Sequence, residues 1–367
     1  DPVGAASCHR RVVAVAFAAA RMTPLEKIIG EIIAAEGPMP IDRYMGLCLG
    51  HPLHGYYMTR DPFGEQGDFM TAPEISQIFG ELIGVWCAAA WDAMGKPAQF
   101  NLVELGPGRG TLMADILKAA KVMPGFREAA RIHLVEMSPI LRKLQKDKLG
   151  QVTWHDTFAN VPEGPLLLIA NEFFDAIPLR QFEKRHGKWL ERCVGAEGMG
   201  FMPAALDNAQ GANGDVIEFA PQRSGIAQEI GQRLARDGGC ALIIDYGHLQ
   251  TAPGDTLQAV RAHEYVAVTD RPGESDITSH VDFEALAKAF IQGGAVVYPA
   301  ITQRAFLLAM GLEQRAAILS SKADANSREI LDRAVARLAG ETEMGNLFKV
   351  MAATSANLPM PYPFGAA

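Results

Sequence analysis

The sequence predicts an α/β protein built on a doubly wound parallel sheet. Two observations carry that expectation. Beyond Ala98, short apolar runs alternate with stretches of helical periodicity, the pattern of parallel strands joined by right-handed crossovers. One of those runs, LVEL at 102–105, passes directly into three glycines at alternate positions, Gly106, Gly108 and Gly110. That turn falls at the carboxyl end of a strand, where open α/β sheets bind their ligands.

Composition sets the outer bounds. The chain has 367 residues and a formal net charge of −8, which argues against a surface made to hold nucleic acid by its phosphates. The five cysteines, Cys8, Cys48, Cys87, Cys193 and Cys240, are scattered and never form a CxxC pair. They read as free thiols of a reducing compartment, neither a disulfide framework nor a metal site. Residues 1–21 stand apart. Arg10 and Arg11 precede an apolar run from Val12 to Ala20, far shorter than the roughly 20 residues that span a bilayer. A signal h-region, a transit peptide and a leader upstream of a natural start at Met22 all have this look. The last is the reading taken, so 1–21 is set aside as a leader or non-native extension, and no other segment reads as membrane-spanning.

Residues 22–97 read as an N-terminal helical region. Thr23 can cap a helix, with Pro24 at its first position and Glu26 closing a capping box. Leu25, Ile28, Ile29, Ile32 and Ile33 then mark one buried face as far as Gly37. Residues 46–74 are rich in Gly, Pro and Asp with interleaved aromatics, which fits an ordered, ligand-covering loop. Within it, His51 and His54 sit beside Pro52 and Gly55, so they read as a turn with no third metal ligand. A second helix is expected from Glu74 to about Met94, ending at Gly95 and Pro97.

Residues 98–367 carry the alternating pattern. Strands are expected at Phe100 to Leu105, Arg131 to Glu136, Val152 to His155, Leu166 to Ala170 and Cys240 to Asp245. Helices are expected at Leu112 to Lys121, Pro139 to Lys148 and Pro221 to Arg236. The alternation stops at about 179–220, where two extended runs around His186 and Gly187 read as an inserted antiparallel hairpin. From Asp282 onward helices are interrupted by one late strand near Ala295 to Tyr298.

The glycine spacing distinguishes the ligand. A dinucleotide fingerprint needs G-x-G-x-x-G, but here the third glycine comes one residue early, and no G-K-[ST] of a phosphate loop follows. The pattern is instead Glu104-x-Gly106-x-Gly108-x-Gly110, which resembles the S-adenosylmethionine (SAM) turn of class I methyltransferases. Glycines admit close backbone approach, and Glu104 can meet the ligand's ammonium group; a turn that binds nothing is the alternative. Glu136 closes the next strand and can accept both ribose hydroxyls, or serve as an acid at the helix N-terminus beside Ser138. Asp156 can accept from the adenine amino group, or be an ordinary turn residue.

The run LLLIANEFFDAIP brings Asn171, Glu172 and Asp175 to the end of the fourth strand. Glu172 and Asp175 can clamp a guanidinium by bidentate contacts, or cap the following turn and pair with Arg180. Two further phrases, LIIDYGH and GESDITSHVDF, end in polar clusters. His280 in the second can accept a proton near neutral pH or be structural, and Asp282 can cap the helix after it.

The phrases HPLHGYY, DPFGEQGDFMTAPEISQIFGE, VELGPGRGTL, NEFFDAIP, IDYGH and DITSHVDF occur in this order between His51 and Phe283, and the resemblance they carry extends from about Pro24 to the C-terminal region. In this the chain resembles the MidA-like family of class I SAM-dependent methyltransferases of bacteria and mitochondria. The resemblance implies a Rossmann-like methyltransferase sheet with an N-terminal helical region and the inserted antiparallel segment. It implies SAM held by Glu104, Gly106, Gly108 and Gly110, with Glu136 on the ribose; Asp156 and Asn171 are expected cofactor contacts from their places at strand ends, not from the resemblance. It also implies that Gly67, Asp68, Phe69 and Thr71 help to close the cofactor site. Glu172, Asp175 and His280 are the expected catalytic residues. The implied role is protein arginine methylation on a respiratory complex I subunit, in the bacterial cytoplasm or the mitochondrial matrix, the former preferred. An assembly factor that transfers no methyl group, and a small-molecule methyltransferase, are the alternatives.

Overall fold

The computed structural model describes residues 22–62, 70–204, 206 and 210–365; the leader at 1–21 and Gly67, Asp68 and Phe69 lie outside them. Among the described residues the central sheet has nine strands, seven in one path: β1 Phe100–Leu105, β2 Ala130–Val135, β3 Thr153–His155, β4 Leu166–Asn171, β5 Gly239–His248, β6 Val296–Val297 and β7 Phe348–Thr354, with the two-residue strands Val281–Asp282 and Ile301–Thr302 pairing off it with β5 and β7. Their order is β6-β7-β5-β4-β1-β2-β3. Pairing is parallel from β3 to β5, while β7 runs antiparallel to both β5 and β6. Chain order reverses between β1 and β4, the switch point at which such sheets bind ligands.

β1 and β4 are buried along their whole length, as strands covered on both faces must be. Side chains alternate between two cores. Leu102, Leu167 and Ile169 point into one, with helix α3 (Gln77–Ala93) and α4 (Thr111–Ala119). Val103, Leu105, Leu166 and Leu168 point into the other, with α6 (Pro221–Asp237) and α7 (Phe283–Gln292). α5 (Pro139–Leu149), capped by Ser138, joins β2 to β3.

A third core gathers α1 (Pro24–Glu36) and α2 (Ile41–Gly50) with the inserted strands and a small sheet. The insertion is larger than the expected hairpin. Arg180–Arg185 and Lys188–Gly195 do pair around His186 and Gly187, but Gly198–Pro203, Val216–Phe219 and Met39–Pro40 of the N-terminal region extend the same sheet. A further three-stranded sheet, from Gln258–Arg261, Glu264–Val266 and Asp276–Thr278, had no clear signal in the sequence.

Two expectations need correction. The helix expected from Glu74 is broken: Ala72–Ile75 forms one short turn, and Ser76, extended at φ −160°, caps α3 through its side chain. The late strand at Ala295 to Tyr298 is only the edge bridge Val296–Val297. The long closing strand is β7, paired with β5 over seven residues and inserted between β5 and β6. Among the described residues no helix is long and apolar enough to cross a membrane.

The first helix begins as its sequence indicates. Thr23 Oγ1 accepts the Glu26 N–H (3.0 Å) while Glu26 Oε2 accepts the Thr23 N–H (3.1 Å). The same hydroxyl donates to the Pro272 carbonyl at 3.0 Å, a buried bond across 249 residues. Thr23→Ala removes a cap and a tertiary bond together. It is expected to cost about 1–2 kcal/mol, read as a lower denaturant midpoint, with Thr23→Ser retaining most of the stability.

Candidate functional site

Gly106, Gly108 and Gly110 all take left-handed backbone, with φ of 59°, 51° and 75°. Gly106 and Gly108 line a cavity of about 1050 Å³ at the switch point. That volume is at the top of the roughly 300–1,000 Å³ that holds a drug-sized ligand, so there is room for a cofactor and part of an acceptor. Any Cβ on Gly106 would stand 3.0 Å from the Phe173 ring. Gly110 does not line the cavity. It caps α4, where a Cβ would meet the Leu149 side chain at 3.1 Å, so it allows α4 and α5 to pack closely.

Three acids follow the turn outward. Glu104 is buried at the end of β1, beneath the turn rather than in the cavity wall; the Met113 N–H binds its carboxyl, yet burial raises its pKa to about 8. Glu136 lines the cavity and is raised to about 7 by burial, although Ser138 N–H (2.7 Å) and Gln145 Nε2 (3.3 Å) donate to its two oxygens. It steadies the start of α5 and also lines the cavity. Asp156 also lines the cavity, but it is largely exposed and its Oδ1 pairs with Arg142 at 2.7 Å.

Over this end lie Asp61 and the described stretch 70–74. Thr71 lines the cavity, whereas Asp68 lies outside the described residues. Arg109, within the glycine turn, donates from Nε to Asp61 (2.8 Å) and approaches Glu74 at 3.7 Å. Thr111 donates to the other Glu74 oxygen at 2.5 Å. The turn and its cover are thereby clipped together.

The second half of the cavity is acidic. Glu172 has φ +49°, an unusual conformation for a side chain larger than Gly. Its Oε1 accepts from the Ala72 N–H (3.0 Å) and from Asn171 Nδ2 (3.2 Å), and burial raises its pKa to about 7. Asn171 is buried behind it, outside the cavity wall, and its Oδ1 has no hydrogen-bond partner among the described residues. Asp175 lines the cavity; its Oδ2 accepts the Tyr246 hydroxyl at 2.7 Å, and its buried Oδ1 has no partner among the described residues. Burial raises Asp175 above the ordinary carboxylate range. Neither acid pairs with Arg180, whose guanidinium makes two 2.6 Å bonds to Glu191.

The loop bearing Asp175 is fixed from behind. Asp245, fully buried on β5, accepts the N–H groups of Phe174 (3.0 Å) and Asp175 (3.2 Å) through Oδ2. Arg223 of α6 donates to the carbonyls of Asp175, Ile177 and His280 and to the Ser279 hydroxyl. His280 lines the cavity with its ring edge-on to Tyr246, 5.5 Å between centroids. Burial lowers its pKa, so the imidazole is neutral at pH 7. His248 turns away to Asp282, 3.8 Å distant.

Several wall residues had no assigned role in the sequence. Tyr57, Gln258, Asp276 and Thr278 come from segments far apart in the chain, and Arg337 comes from the helix Ala325–Ala339. Arg223 looks, in sequence, like any charged residue in the first turn of an amphipathic helix. Only its burial, at 5% exposure, reveals its role.

The residues present fit SAM: left-handed glycines admit the backbone, Glu136 offers a carboxyl to ribose, and a buried oxygen of Glu104 under the turn has no hydrogen-bond partner among the described residues. Comparison with known proteins agrees. A family model for S-adenosyl-L-methionine-dependent methyltransferases matches residues 82–301. The zebrafish (Danio rerio) mitochondrial protein arginine methyltransferase NDUFAF7 is 36% identical over 361 residues, covering 88% of this chain and 85% of its own. The human (Homo sapiens) protein of the same name is 34% identical, covering 90% and 83%. A solved structure of a methyl-transferase superfamily member from Burkholderia thailandensis, bound to S-adenosyl-homocysteine, is 30% identical with a TM-score of 0.80, covering 90% of this chain and 91% of that one. With its glycine turn, the buried Glu136 and an acidic inner wall in one cavity, the chain belongs to the family of S-adenosyl-L-methionine-dependent methyltransferases.

Proposed function

We propose that the chain methylates arginine side chains of a protein, the activity for which its curated relatives are named. The observation that carries this reading is Asp175. Its Oδ1 is buried and without a hydrogen-bond partner among the described residues, on a cavity wall shared with the Glu172 carboxyl. A guanidinium brings five N–H donors in a rigid fork and satisfies such oxygens.

When bound, SAM supplies an electrophilic methyl group on a sulfonium centre. Glu136 would hold the ribose, Gly106 and Gly108 the backbone-facing side, and Thr71 the cover; these roles are proposals. The chain's remaining task is to orient the acceptor and keep water out. Glu172 and Asp175 aim the guanidinium, Tyr246 fixes the Asp175 carboxyl, and the neutral His280 ring is placed to accept the proton that the nitrogen loses. A respiratory complex I subunit is the first protein to test as substrate, on the family resemblance. The compartment, mitochondrial in the relatives' names, is the matrix if the source is eukaryotic and the cytoplasm if it is bacterial.

Label transfer from methyl-tritiated SAM to proteins of a cell lysate lacking this protein, followed by mass spectrometry, should reveal methylarginine. Asp175→Asn and Glu172→Gln should each lower the rate by about ten- to a thousandfold, the loss of a charge-assisted contact at the reacting group, while SAM affinity stays within a few-fold. Label on lysine or on small molecules alone would refute the arginine assignment, and binding without transfer would favour an assembly role. Gly106→Val, which collides with Phe173 and strains a left-handed residue, should abolish SAM binding in calorimetry.

The raised acids set a pH dependence. Glu104, Glu136 and Glu172 have pKa values of about 8, 7 and 7 against an ordinary 4.5, so the folded state binds more protons than the unfolded one between those limits. Their contribution makes stability fall as pH rises through that interval. His133, lowered to about 4 from 6.5, gives the opposite slope below 6.5, which leaves pH 6.5–8 as the clean window. The thermal midpoint of the ligand-free protein should fall across it, and Glu136→Gln should reduce the slope.

A further inference from the structure

The small sheet of Gln258–Arg261, Glu264–Val266 and Asp276–Thr278 has two dissimilar faces. Ala259 and Ile277 are buried in the core shared with α1 and α2. Their neighbours Gln258, Val260, Asp276 and Thr278 line the cavity, as the two-residue period of a strand requires. Ser279 N–H donates to the Asp175 carbonyl at 3.2 Å, which lays the end of this sheet alongside the acceptor loop.

Asp276 repeats the construction of Asp175. It is buried at 6% exposure, and its Oδ1 accepts the Tyr57 hydroxyl at 2.7 Å, the same length as the bond from Tyr246 to Asp175. Tyr57 comes from the short helix Tyr56–Thr59 and also lines the cavity. Burial, then the charges of Asp276 and Asp175, push its phenol well above the ordinary value, so it remains a donor at any working pH. Two carboxyls, each gripped by a tyrosine hydroxyl, thus stand on one cavity, one from the loop after β4 and one from the accessory sheet. The region anchored by α1 and α2, which itself adds Leu49 of α2 to the cavity wall, supplies half of this arrangement.

We propose that Asp276, held by Tyr57, is a second acceptor-binding carboxylate, so that the incoming arginine is gripped by two tyrosine-fixed carboxyls instead of one. This rests on the arginine reading given above. A planar fork of N–H donors can bridge two carboxyls, whereas an ammonium, a compact point charge, gains little from a second fixed acceptor at a distance. The arrangement therefore selects arginine over lysine.

The test uses Nα-acetyl-arginine amide and Nα-acetyl-lysine amide as probes, titrated by NMR into the full chain saturated with S-adenosyl-homocysteine. The wild type should bind the arginine probe and prefer it to the lysine probe. Asp276→Asn should weaken arginine binding about tenfold or more, and Tyr57→Phe about two- to tenfold, with affinity for S-adenosyl-homocysteine unchanged in both. Arginine binding unaltered in both variants would overturn the role of Asp276 while leaving the arginine reading intact. A wild type that ignores the arginine probe, or binds the lysine probe as tightly, would overturn the arginine reading itself. If Asp276→Asn fails to bind S-adenosyl-homocysteine, Tyr57→Phe, which removes one hydroxyl, decides alone.

Discussion

The buried guanidinium of Arg223 is the constraint around which the inner half of the site is built. A cation cannot leave water without a full set of acceptors, and here three backbone carbonyls and one hydroxyl come from two separate loops. The loop after β4 and the loop at 279–280 must therefore hold one relative position. Asp245 performs the reciprocal task, presenting a buried carboxylate to two N–H groups of the first loop. The charges of Asp245 and Asp175 in turn support the ionised form of Arg223 against burial. The loop bearing Asp175 is positioned by this internal balance of the protein's own groups, the kind of preorganisation on which catalysis by fixed polar groups relies.

Sheet order then decides what meets what. Five neighbouring strands, β3, β2, β1, β4 and β5, end on the same edge. Each delivers one residue near its end: Asp156, Glu136, Gly106, Glu172 and Tyr246, all lining one cavity. Because the chain order reverses between β1 and β4, connections leave that edge in opposite directions and open a crevice there. The glycine turn and Glu136 lie on one side of it and Glu172 and Tyr246 on the other, so the two halves of the cavity follow from strand order.

Features encoded locally were legible in the sequence, and those made by long-range packing were not. The capping box of Thr23 and Glu26 uses residues three apart, and β1 coincides with its apolar run because a strand buried on both faces has no other composition open to it. β7 escaped because FKVMAAT is short, lacks a clear two-residue alternation and pairs with β5 about a hundred residues earlier. At the site, the turn glycines and strand-end acids could be named from spacing. The roles of Gly110 in packing and of Arg223 in bracing could not, since each depends on a neighbour brought in by the fold. Tyr57 and Asp276, 219 residues apart, had no shared pattern to announce them.

Glu172 joins two parts of the cavity that lie 100 residues apart in the chain. One of its oxygens accepts the Ala72 N–H, and its backbone is held in a left-handed conformation. The same side chain lines the cavity together with Asp175. The seating of the 70–74 stretch and the set of the acidic wall are therefore coupled through a single carboxyl.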